Sequence, residues 1–67
     1  MPLYWEDAED IADALLVVHP AQDPADLAFP TLDRMICDLA DFADDPVRSS
    51  DKKLEAILTA WIDRAKS

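Results

Sequence analysis

The chain has 67 residues, 51% of them hydrophobic, and a net charge of −9; this predicts one domain over residues 1–67 and argues against disorder. Its single cysteine excludes an internal disulfide, and the absence of glycine excludes the glycine-rich loops that bind nucleotide phosphates. No apolar run is long enough to cross a bilayer and no signal peptide is evident, so we expect a cytoplasmic protein without membrane contact.

The first predicted helix covers residues 7–18. Asp7 is the expected N-cap, and Glu9 in the first turn suits the positive end of the helix dipole. A buried stripe is expected from the apolar residues at helical spacing, Ala8, Ile11, Leu15 and Val18. Glu9 and Asp13, four residues apart, lie on the opposite face and add to an acidic surface. His19 precedes Pro20 and ends the helix, where we expect it to cap the helix end or face solvent rather than bind a metal.

The next segment, residues 19–30, contains three prolines and is predicted to be a connector with a turn at Asp23-Pro24. Two pieces of the chain show the alternation of a short strand, Leu3 with Trp5 and Leu27 with Phe29. We therefore expect these two extended pieces to pair with each other.

The second predicted helix covers residues 32–43, with Thr31 as its N-cap and Asp45-Pro46 just beyond its end. Its buried stripe consists of Leu32, Met35, Ile36, Leu39 and Phe42 or Ala43. Four aspartates project away from this stripe or crowd the end of the helix: Asp38, Asp41, Asp44 and Asp45. Negative charge is disfavoured at that end, which indicates that a cation or a basic partner compensates for it.

The third predicted helix starts after a cap at Ser49 or Ser50 and has the clearest amphipathic pattern in the chain. Its apolar stripe is Leu54, Ile57, Leu58, Trp61, Ile62 and Ala65. Both tryptophans, Trp5 and Trp61, are predicted to lie in the core. The first thirty residues hold seven acids and no Lys or Arg, whereas this last part of the chain is mildly basic.

The aspartates suggest two alternatives, a solvated acidic face or a site for a divalent cation such as Fe²⁺. Their spacing is not that of an EF-hand and no Glu-x-x-His is present, so any cation would be held weakly. Cys37 is expected to be an inert, partly buried thiol whose pKa is raised by Asp38 and Asp41. With one His and one Cys, no catalytic constellation can be assembled, so we do not expect an enzyme.

The sequence resembles the IscX family, small acidic bacterial proteins of iron–sulfur cluster assembly. The resemblance runs nearly from end to end and is carried by Leu3, Trp5, Asp23-Pro24, Phe29, Ile36-Cys37-Asp38-Leu39, Asp41-Phe42, Asp44-Asp45-Pro46, Leu54-Glu55-Ala56-Ile57-Leu58 and Trp61. It implies a mostly α fold, a small three-helix winged-helix-like domain with one or two very short strands. The long string around Cys37 is its most specific part.

The resemblance also implies a role as an acidic adaptor or regulator that binds cysteine desulfurase and weakly binds ferrous iron. The implied metal ligands are Asp38, Asp41, Asp44 and Asp45, and the implied partner-binding residues add Glu9 and Asp13. Family members carry further acids where this chain has Ala40 and Ala43, so its patch is thinner, and Met35 replaces an aromatic residue. The second helix is acidic, so the winged-helix analogy predicts no binding to nucleic acid.

Two other functions fit the same composition. One is an iron donor or carrier to the assembly machinery, which needs tighter iron binding than scattered carboxylates provide. The other is an acidic mimic that binds a different basic protein. In each case we expect a monomer with a negative surface that attracts cations and basic proteins and repels phosphate backbones.

Overall fold

A computed structural model describes residues 2–66 of the chain. It has three helices, α1 (Ala8–Val18), α2 (Phe29–Cys37) and α3 (Asp51–Ala65), and two 3₁₀ turns at Pro24–Asp26 and Pro46–Arg48. The predicted mostly α class with three helices is confirmed. Within residues 2–66 the expected short strands are reduced to one parallel bridge between Leu3 and Phe42. No helix in this range is long and apolar enough to cross a membrane.

The core lies between α1 and α3, with α2 and the N-terminal residues closing it. Both tryptophans are buried, Trp5 with 2% and Trp61 with 0% of its surface exposed, which confirms their prediction. The other fully buried large side chains are Ile11, Leu15, Leu32, Ile36 and Ile57. These apolar positions have the helical spacing from which the stripes were predicted.

Helix α1 has nearly the predicted bounds, but its buried stripe differs at one end. Ile11, Ala12 and Leu15 are buried, whereas Val18 is exposed, as is its neighbour Val17. The prediction that Val18 is a core residue was therefore wrong. Val18 lies in the last turn of the helix, beyond its last buried residue Leu15, and Ala12 is a buried residue that the predicted stripe did not include. Helix α3 begins as predicted, with the Ser50 hydroxyl accepting the backbone N–H of Lys53 at 3.3 Å.

Helix α2 differs most from the prediction of 32–43. It begins at Phe29 with Ala28 rather than Thr31 as its N-cap, and it ends at Cys37. Pro30 lies in its first turn. Proline is tolerated there because the N–H groups of the first turn have no partner inside the helix. Asp38 is the C-cap, and the next hydrogen bond, from Leu39 N–H to Ile36 O, tightens the chain into a turn. The predicted strand at Leu27 and Phe29 was accordingly wrong.

The N-terminal residues pair with the segment that follows α2, not with residues 27–29. Leu3 N–H donates to Asp41 O, and Ala43 N–H donates to Leu3 O, both at 2.8 Å. The rings of Trp5 and Phe42 meet edge to face with their centroids 4.9 Å apart. A helix continued to residue 43 would direct the Ala43 N–H to the Leu39 carbonyl instead of to Leu3, so this pairing and the predicted helix exclude each other.

Candidate protein-docking surface

Residues 38–45, called here the acidic segment, cross the surface between α2 and the 3₁₀ turn Pro46–Arg48. Trp5 attaches this segment to the core at two points besides its ring contact. Its indole N–H donates to the Asp45 carbonyl at 2.8 Å, and its backbone N–H donates to the Asp44 carboxylate at 3.0 Å. The segment is therefore held in one conformation although it has no regular secondary structure.

Asp44 is a structural residue of this segment. Its Oδ2 accepts the Trp5 backbone N–H, its Oδ1 accepts the Asp45 backbone N–H at 2.8 Å, and Arg48 lies 3.8 Å away. The side chain is only 11% exposed. The hydrogen bond from the Trp5 backbone, followed by that from Asp45, lowers the pKa of Asp44 below its ordinary value of 3.8.

Asp45 also acts within the fold. Its Oδ1 accepts the backbone N–H of Val47 at 3.0 Å and caps the 3₁₀ turn Pro46–Arg48. A carboxylate in this position faces unpaired N–H groups and is stabilising. The prediction that Asp44 and Asp45 crowd the unfavourable end of a helix was therefore wrong, because that helix ends at Cys37.

Asp38 and Asp41 are different, because both are exposed and neither side chain makes a hydrogen bond or ion pair within residues 2–66. Asp38 contributes its backbone N–H to Arg34 O, and Asp41 contributes its carbonyl to Leu3. The backbone that carries these two carboxylates is thus fixed by hydrogen bonds. They are the two members of the predicted site that remain free for a partner.

The predicted metal ligands do not converge. Across the described part of the chain, no group of three His, Cys, Asp or Glu side chains is arranged to hold a metal ion. Asp44 and Asp45 already accept backbone hydrogen bonds with oxygens that a metal would need. The residues present therefore do not fit a closed iron site, and weak binding by exposed carboxylates stays a prediction.

Glu9 and Asp13, predicted to extend the acidic surface, both contact a base that the sequence patterns did not assign to them. Arg64 of α3 forms an ion pair with Asp13, and its guanidinium lies 3.9 Å from Glu9. Ion pairs of this exposure contribute little stability, but they neutralise part of the charge on α1. A role of these two acids in partner binding stays a prediction. A basic partner would have to compete with Arg64 for their carboxylates.

Cys37 is partly buried, as predicted, and its hydrogen-bond partner is Asp33. Its Sγ donates to Asp33 Oδ1 at 3.5 Å, and Asp33 Oδ2 accepts the Ser49 hydroxyl at 3.1 Å. Burial first, and then the hydrogen bond and negative charge of Asp33 with that of Asp38, raises the pKa of the Cys37 thiol to about 11. The predicted direction is confirmed, with Asp33 in the place of Asp41.

The raised pKa of Cys37 predicts that its thiol reacts slowly in the folded protein. A rise from the ordinary 9.0 to about 11 leaves about 100-fold less thiolate at pH 8. We expect iodoacetamide to alkylate Cys37 in the native protein about 100-fold more slowly than in urea, measured by mass spectrometry. Asp33→Asn should raise the native rate, because it removes a charge that disfavours the thiolate. Equal rates with and without urea would contradict this assignment.

The lowered pKa of Asp44 predicts that its contribution to the stability of the fold is lost in acid. Its folded-state pKa is lowered, so its contribution is present above pH 3.8 and is lost as the pH falls below that value. We expect Asp44→Asn to lower the melting temperature by about 5 °C near neutral pH. This difference should shrink as the pH falls below 3.8 and through the lowered pKa of Asp44 in the folded protein, where the carboxylate is itself protonated. Glu55→Gln, an equal change of charge at an exposed position of α3, is the control, and a gap that persists in acid would refute the prediction.

Two comparisons with known proteins bear on the chain as a whole. Residues 3–66 match the model of a family described as iron–sulphur cluster assembly. The chain is also similar to an uncharacterized protein of Pseudomonas aeruginosa, with 44% identity over 63 residues, which are 94% of this chain and 96% of that protein. The family match includes the acidic segment and the N-terminal residues Leu3 and Trp5 that hold it.

Proposed function

This chain belongs to the IscX family of iron–sulphur cluster assembly proteins, and we propose that it is a non-catalytic adaptor that docks on a cysteine desulfurase. The observation that supports this role best is the pair Asp38 and Asp41, exposed on a rigid segment and without partners inside residues 2–66. A protein with a net charge of −9 attracts a basic surface over a distance, and fixed carboxylates then orient it.

A non-catalytic role agrees with the chemistry of the groups that the site offers. A thiol with a pKa of about 11 is almost entirely protonated at neutral pH and is a poor nucleophile. The Asp44 and Asp45 carboxylates are committed to backbone N–H groups. What remains at the surface is charge and shape, which suit recognition of another protein.

Iron enters this proposal as a weak ligand of the same surface. We propose that Asp38 and Asp41 bind ferrous iron singly, each with water completing the coordination, and that iron therefore competes with the basic partner. Binding of this kind should be weaker than millimolar and should be displaced by excess Mg²⁺, since both cations accept carboxylate oxygens. A dedicated iron carrier is less well supported, because the described residues form no three-ligand group.

The test is an NMR titration of the ¹⁵N-labelled chain with the purified cysteine desulfurase of its source organism. We expect shifts centred on residues 38–45, weakened by added salt because the contact is ionic. Repeating the titration under anaerobic conditions with Fe²⁺ should reduce these shifts. Shifts centred elsewhere, or none, would refute the docking role, and shifts insensitive to Fe²⁺ would refute the role of iron while leaving docking in place.

A further inference from the structure

Tyr4 lies between the two buried residues Leu3 and Trp5, yet it is one of the exposed large hydrophobic residues. Leu3 and Trp5 point into the core with 7% and 2% of their surface exposed, whereas Tyr4 is 46% exposed. Successive side chains of an extended chain point to opposite faces. The Tyr4 ring is therefore presented on the outer face, and within residues 2–66 it makes no ring contact or side-chain hydrogen bond.

The acidic segment alternates in the same way beside it. Phe42 packs on Trp5, and its neighbours Asp41 and Ala43 are exposed. Because Leu3 and Phe42 form the parallel bridge, the outward residues of the two pieces share one face. In this register the Cα atom of Tyr4 lies level with that of Ala43. It lies diagonally from the Cα atom of Asp41, at a distance of about 8 Å. Ala43 is too small to cover the ring.

We propose that Tyr4 and Asp41 together receive one arginine side chain of the docking partner, with its guanidinium against the Tyr4 ring and paired with the Asp41 carboxylate. This rests on the proposed function and specifies the chemistry of the partner at one point. A guanidinium is planar, stacks on aromatic rings and donates to carboxylates, so it satisfies both groups at once. A spacing of about 8 Å between the two backbone positions leaves room for a guanidinium beside both side chains.

The test compares Tyr4→Leu with Tyr4→Phe by calorimetric titration against the same desulfurase. Tyr4→Leu keeps an apolar side chain but removes the ring, and we expect it to raise Kd about 5- to 10-fold. Tyr4→Phe keeps the ring and should bind within about twofold of the parent chain. Val17→Ser alters an exposed apolar residue at the far end of α1 and is the matched control, for which no change is expected.

A double-mutant cycle tests whether the two residues hold the same group. If they do, Asp41→Asn combined with Tyr4→Leu will weaken binding less than the product of the two single effects. Parent-like binding by Tyr4→Leu, an equal loss in Tyr4→Phe, or effects that simply multiply would each overturn the arginine clamp. These failures are distinct from failure of the docking role, which the NMR titration of the parent chain with the desulfurase tests without altering Tyr4 or Asp41.

Discussion

Trp5→Ala is expected to remove a large part of the stability of the protein. The substitution removes a side chain that is 2% exposed, its edge-to-face contact with Phe42 and its indole hydrogen bond to Asp45. Truncation of a buried tryptophan costs about 3–5 kcal/mol, whereas a domain of this size has a total stability of roughly 3–10 kcal/mol. Circular dichroism during heating should show a melting temperature lowered by more than about 15 °C.

Two neighbouring variants show which part of Trp5 matters. Trp5→Phe keeps an aromatic ring for Phe42 and loses only the N–H donor with some volume, so a smaller loss of about 1–2 kcal/mol is expected. Tyr4→Ala changes the exposed residue beside it and should melt like the parent chain. A Trp5→Ala variant that melts normally would show that the N-terminal residues do not belong to the core.

Reversing Asp38 and Asp41 to lysine is expected to raise Kd for the cysteine desulfurase by roughly 10- to 100-fold at low salt. The variant places two positive charges where the proposed partner is basic, so most of the loss should be in the association rate. Its affinity should also depend less steeply on salt than that of the parent chain. Both positions are exposed, and a lysine at the C-cap of α2 suits the helix dipole, so the fold should be retained.

The matched control for this double reversal changes the same amount of charge elsewhere. Asp26→Lys with Glu55→Lys alters two exposed acids, one in the 3₁₀ turn Pro24–Asp26 and one in α3. We expect only a few-fold weakening from it, because long-range attraction falls but the contact is intact. If the two double variants weaken binding equally, net charge rather than the acidic segment governs docking. If neither does, the docking surface has been placed wrongly.

Much of the core was already determined by periodicity. The burial of Ile11, Leu15, Ile57 and Trp61 follows from apolar spacing along two regular helices, and the Ser50 cap follows from side-chain chemistry within one turn. The acidic character of the chain and its resemblance to an iron–sulfur assembly family also needed no coordinates. These features are local or compositional, so the order of the residues is sufficient to predict them.

The end of α2 and the roles of the aspartates were decided only by the tertiary structure. Helical spacing continues beyond Cys37, but the helix stops there. Leu3 and Trp5, more than thirty residues earlier in the chain, instead form hydrogen bonds with the backbone of residues 41–45 and with the Asp44 carboxylate. These long-range bonds engage the Asp44 carboxylate, whereas a bond within one turn makes Asp45 a cap, and Asp38 and Asp41 stay exposed. Four similar aspartates therefore have two kinds of role, because hydrogen bonds between distant segments are not encoded in local periodicity.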